Sequence, residues 1–177
     1  MRYLITLPWM PYPATDGGKQ GSFNMLMELQ NMIDITLIYP VFFKKQMACQ
    51  YLLEKQLPKV KVYPFEYYKN KDGIKSQYSL FRLHRIITRK FLKQPYLATP
   101  IYKDAYIDFV NEIIKKDRID IVQNEYFEQL YMVYAIPNTV KKVFIQHEIQ
   151  YIAKERLFQQ REYPSSVRYL ATMQRIQ

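Results

Sequence analysis

Two stretches place polar side chains of chemical interest straight after apolar runs of strand length. In "IVQNEYFEQ", Asn124 and Glu125 follow such a run. In "VFIQHEIQY", His147 and Glu148 do the same. A carboxylate at a strand end can accept hydrogen bonds from sugar hydroxyls, and an imidazole beside it can accept or donate a proton. A third stretch, "LPWMPYPATDGGKQGSFNMLMELQ", leads from a short apolar run into a helix-like pattern through three prolines and the pair Gly17–Gly18. Glycines let a phosphate or a sugar lie against the backbone, and a helix start offers free N–H groups and a positive dipole end. Lys19 adds charge there. The alternative for the pair is a tight turn that needs positive φ.

The same residues exclude several chemistries. "GGKQG" is neither the dinucleotide fingerprint nor a P-loop, which counts against a nicotinamide-dependent oxidoreductase. No G-x-S-x-G is present to support a hydrolase triad. Two histidines and one cysteine, Cys49, make no metal-ligand cluster, so no metal site is expected, and no internal disulfide is possible. His84 sits in a basic helical pattern and reads as surface. Glu128 reads as a dipole-favoured acid at a helix start.

Those side chains need a scaffold that carries strand ends to one rim. Apolar runs rich in Ile and Val predict strands over 3–7, 35–39, 60–63, 119–123 and 143–146. Continuous apolar runs suit strands buried on both faces of a parallel sheet. Helical patterns fall at 22–32, 44–57, 77–92, 102–116, 127–134, 150–160 and 165–176, with Ser22 as the expected N-cap of the first. Alternating strands and helices predict an α/β fold with right-handed crossovers and sheet order 3-2-1-4-5. Ligands then sit at the carboxyl ends of the strands, where strand order reverses. The polar segment from residue 67 opens a helical, basic insertion over about 67–100.

Length, composition and charge agree with one folded domain. The 177 residues are 49% hydrophobic and 24% charged, as expected of a globular core. The formal net charge is +10, which favours an anionic partner such as a nucleotide, a phospholipid, a polyphosphate or a nucleic acid. No RRM, KH or helix-turn-helix signature supports nucleic acid. The N-terminus lacks the features of a signal peptide, and no apolar run approaches the ~18 residues of a membrane span. A cytoplasmic protein is expected, at most peripheral at the inner face of the membrane. The final stretch, "SSVRYLATMQRIQ", is helical in pattern to its last residue. A crossover helix expects a further strand, so the pattern predicts a chain cut at a crossover; a helix docked on the sheet is the alternative.

Taken together, "PYPATDGGKQGSFNMLMEL" with the following "ITLIYP", "DIVQNEYFEQLYMVYAIP" and "KKVFIQHEIQY" resemble the N-terminal half of GT-B-fold glycosyltransferases, particularly the family 4 retaining enzymes. The resemblance spans essentially the whole chain. It implies a Rossmann-like three-layer domain with a central parallel sheet, the acceptor-side half of a hexosyltransferase. Such an enzyme moves a sugar from a nucleotide-sugar donor to a saccharide or lipid-linked acceptor, in cell-surface polysaccharide synthesis, without a cofactor. By the same resemblance Gly17 and Gly18 face the donor diphosphate or the acceptor, and His147 contacts the donor sugar. Glu125 is an acceptor contact by strand-end position alone. The C-terminal donor-binding domain and its E-x7-E motif are not found in the 177 residues, so the chain alone is expected to be inactive. The competing function is a non-enzymatic anion- or nucleotide-binding α/β module.

One further segment has its own chemistry. At roughly 100° per residue, Arg82, Arg85, Arg89 and Lys93 share a sector about 80° wide, opposite Leu80, Leu83, Ile87 and Phe91. Such a helix can lie on an anionic membrane surface. Its alternative is an apolar face packed on the domain beneath a solvated cationic one.

Overall fold

The computed structural model describes residues 1–70 and 103–147, which belong to one compact unit. Five strands form one parallel sheet: β1 (Arg2–Thr6), β2 (Asp34–Val41), β3 (Val60–Glu66), β4 (Ile121–Glu125) and β5 (Lys141–Ile145). Their order is β3-β2-β1-β4-β5, as the alternation of elements predicts. The helices are α1 (Gly17–Leu29), α2 (Met47–Gln56), α3 (Lys103–Lys116) and α4 (Leu130–Ala135). The domain is a Rossmann-like three-layer α/β unit. No helix among the described residues is long and apolar enough to cross a membrane.

The layers follow from the strand period of two. Neighbours in β1 go to opposite faces: Leu4 joins a buried cluster with Val110, Ile113 and Met132 of α3 and α4. Ile5 joins another with Leu26 and Leu53 of α1 and α2. In β2, Ile38 belongs to the first cluster, and Leu37 and Tyr39 to the second. A strand sandwiched in this way has no solvent face, hence its largely apolar sequence after Asp34, with Thr36 as the one buried polar residue.

Several boundaries differ from the sequence reading, each for a local reason. β2 and β3 run on through Pro40 and Pro64. Pro64 lies on an edge strand, and Pro40 lies past Ile38, the last β2 residue with a β1 partner, so neither needs an N–H there. β4 starts two residues late because Arg118, at φ 51°, turns the chain after α3. Asn124 and Glu125 therefore lie inside the strand rather than beyond it. β5 starts earlier, at two lysines that pair with Ile121 and Val122.

The largest correction is at α1. The helix begins at Gly17, and Asp16 is its N-cap, accepting from the Lys19 N–H at 2.9 Å. Ser22 is not the cap but a buried residue inside the helix. Glycine is a poor helix former, which hides the first turn from a propensity reading. None of the described glycines has positive φ, so the tight turn is not formed. The basic helix with Arg82, Arg85, Arg89 and Lys93, the rest of the insertion from 71 on, His84, Glu148 and the two final helical patterns lie outside the described residues.

Candidate functional site

Strand order reverses between β1 and β4, which pair with their far neighbours on opposite sides. The chain leaving β1 and the chain leaving β4 therefore flank a crevice at the carboxyl edge of the sheet, the usual ligand position in such folds. Trp9 comes from the first connection and Tyr126 from the second, while α1 starts between them in sequence.

Glu125 is the last residue of β4 and is completely buried. Its Oε1 accepts from Gln123 Nε2 at 2.7 Å. Its Oε2 lies 3.1 Å from Ser22 Oγ on α1 and 3.0 Å from His147 Nε2, two residues past β5. Gln123 and Glu125, two apart in a strand, share the α1 face. Asn124 points the other way in the alternation: fully buried, its Oδ1 accepts from Thr6 Oγ1 at 2.8 Å. Asn124 is thus engaged inside the sheet, and its role is to tie β4 to β1.

Tyr126 joins the pieces. Its φ is 68°, a region that a bulky side chain occupies at a cost of about 1–3 kcal/mol and that recurs at functional sites. Its backbone N–H donates to Ile145 O at 2.9 Å, fixing β4's exit against β5. Its hydroxyl donates to Gly18 O at 2.8 Å and lies 3.3 Å from Ser22 Oγ. Its ring stacks on His147 at 4.3 Å between centroids and meets Trp9 at 4.6 Å. Burial raises its phenol above the usual range, against an opposing hydrogen bond with Ser22 and with smaller pushes from nearby carboxylates, so it remains a donor.

This explains Gly18. A Cβ there would come 3.1 Å from the Tyr126 hydroxyl and 3.4 Å from Asp16 Oδ1. What lies against this backbone is the protein's own tyrosine. Gly17, one residue earlier, faces open space.

The α1 terminus is less cationic than its sequence suggests. The Asp16 carboxylate occupies the cap, and the Lys19 N–H holds it below the usual carboxylate range. Lys19 Nζ turns back to Asp16 Oδ2 at 3.3 Å and to Thr15 Oγ1 at 3.2 Å. Part of the positive dipole end is therefore already neutralised by a built-in anion. That carboxylate repels a phosphate, whereas a neutral hydroxyl can donate to it.

The structure thus brings together Gly18, Glu125 and His147, through Tyr126, Ser22 and Trp9, which sequence reasoning missed, and leaves Gly17 outside the group. Ser22 was obscured by its resemblance to a cap. Tyr126 carried one signal: an aromatic between a strand-end acid and a helix start. Among the described residues no group of three or more His, Cys, Asp or Glu is disposed to hold a metal. No protein-family model matches the chain, and a search of curated proteins finds no match to it.

Proposed function

We propose that the chain is the acceptor-side, N-terminal domain of a retaining GT-B glycosyltransferase. The full enzyme transfers a sugar from a nucleotide-sugar donor to a saccharide or lipid-linked acceptor at the cytoplasmic face of the membrane, in cell-surface polysaccharide synthesis. One observation carries the reading. At the strand-order reversal a partly exposed imidazole, His147, stands against the Tyr126 ring and is held from behind by the buried Glu125, so the imidazole and the aromatic ring rather than the carboxylate are the groups suited to hydroxyl-rich ligands. The Asp16 cap favours a neutral acceptor over a diphosphate at α1, and it weighs against the alternative of a simple anion-binding module.

In this reading the donor is bound by a second α/β domain. Residues 1–177 alone then lack the groups that hold the leaving diphosphate, and neither positioning nor electrostatic stabilisation is complete. The test is a transfer assay with radiolabelled nucleotide sugars, on the chain alone and on a polypeptide carrying it beside such a domain. We expect turnover only from the second, and a drop of about a hundredfold in kcat/KM for His147→Ala, equivalent to about 2.7 kcal/mol. Turnover by the chain alone would overturn the half-enzyme assignment. No transfer by the two-domain protein would overturn the glycosyltransferase reading.

A further inference from the structure

The protons around Glu125 can be counted one by one. Three groups reach its carboxylate, from β4, α1 and the residues after β5: Gln123 Nε2, Ser22 Oγ and His147 Nε2. Gln123 is itself oriented, because its Oε1 accepts from the Tyr3 hydroxyl at 2.7 Å and leaves the amide nitrogen toward Glu125. The Tyr126 hydroxyl spends its single proton on Gly18 O, a carbonyl that can only accept. Ser22 then faces two acceptors, the Tyr126 oxygen at 3.3 Å and Glu125 Oε2 at 3.1 Å, and the nearer one is the carboxylate, which takes its proton. Every hydrogen bond runs toward this fully buried carboxylate.

His147 is consequently two-sided. Its Nε2 is directed at Glu125, and one face of the ring is covered by Tyr126. Nδ1 has no hydrogen-bond partner among the described residues, and the side chain is 35% exposed.

We infer that Glu125 is the positioning residue of this site: it holds the neutral ring of His147 as the Nε2–H tautomer and leaves the Nδ1 lone pair at the rim as an acceptor for a ligand hydroxyl. That the hydroxyl belongs to a saccharide rests on the glycosyltransferase reading; the tautomer is a property of this chain with no ligand bound. A buried carboxylate that fixes a histidine tautomer in this way shapes what the free nitrogen can do.

The test is ring ¹⁵N NMR on the uniformly labelled chain, at a pH where His147 is neutral. The sequence has two histidines, so the variant His84→Gln assigns the signals. Wild type should show Nε2–H with a bare Nδ1. Free imidazole leans the same way, so the deciding variant is Glu125→Gln, which keeps the shape and exchanges one acceptor for a donor. With its oxygen toward Gln123, the new amide nitrogen faces His147, and the ring proton should move to Nδ1. A charge-assisted bond of about 1.5–3 kcal/mol corresponds to a preference of roughly tenfold or more, so the change should be an inversion, not a drift. An Nδ1–H ring in wild type, or an Nε2–H ring retained in the folded Gln variant, overturns the assignment. Neither result bears on sugar transfer, so its failure is distinct from failure of the proposed function.

Discussion

The two edges of the sheet hold similar ingredients in opposite settings. At the amino edge, Arg2 and Asp120 pair at 2.9 Å in solvent, while the exposed Lys61 reaches the largely covered Asp117 at 2.7 Å beside an open cavity of about 240 Å³. At the carboxyl edge, Glu125 is sealed from water beneath His147, with a donor for each direction it faces. Exposed pairs share their field with water and ions and hold no geometry. A buried carboxylate must be satisfied in full, so it imposes positions on its donors. What separates Glu125 from the Arg2–Asp120 pair is burial rather than charge.

Four substitutions probe the contrast, in falling order of effect. Glu125→Ala should cost about 3 kcal/mol, since it empties a core position and strands the donors of Gln123 and Ser22. A urea unfolding curve measures this directly. A loss near zero would mean that water already reaches the acid, and the contrast between edges would fall.

The next effect lies within the glycine pair. Gly17→Ala should stabilise by about 0.5 kcal/mol, because its φ is ordinary and a methyl meets nothing. Gly18→Ala gains the same entropy but displaces the Tyr126 hydroxyl, a net loss of about 1 kcal/mol. Thermal melts of the two variants should move in opposite directions. Equal shifts would show that Tyr126 does not lean on α1.

The smallest effect belongs to the amino edge. Hydrogen bonds from Arg2, first through its side chain, lower Asp120 from 3.8 to about 2. A depressed acid contributes stability in full above the unfolded value of 3.8, and the contribution is lost as pH falls through about 2. Asp120→Asn should match wild type near that lower pH and fall slightly behind above 3.8, with the gap shrinking in high salt. A gap that persists at high salt would assign the pair a structural role.

Much of this fold was legible, and the reasons are visible in single elements. β1 and β2 bury both faces, so Leu4, Ile5 and Leu37 had to be apolar whatever their register. The carboxyl rim was legible through His147 and Glu125 because polar residues interrupt apolar runs there. What could not be read was the link between them. Ser22 and Glu125 are 103 positions apart, and no local pattern encodes a contact at that distance. Nor does a sequence display the φ of Tyr126, which depends on β5 holding its N–H. Asp16 was passed over as the cap because the glycines after it weaken every helix signal.

The central place of β1 also has a consequence for biosynthesis. Its pairing with β2 is possible once about 41 residues have left the ribosome, yet its other edge has no partner until β4 emerges roughly 80 residues later. At ~5–20 residues per second the nascent chain carries that open apolar strand edge for several seconds. An unpaired edge of this kind is a template for association with other chains. The arrival of β4 closes that edge, and the site around Glu125 is complete only when β5 and His147 have followed.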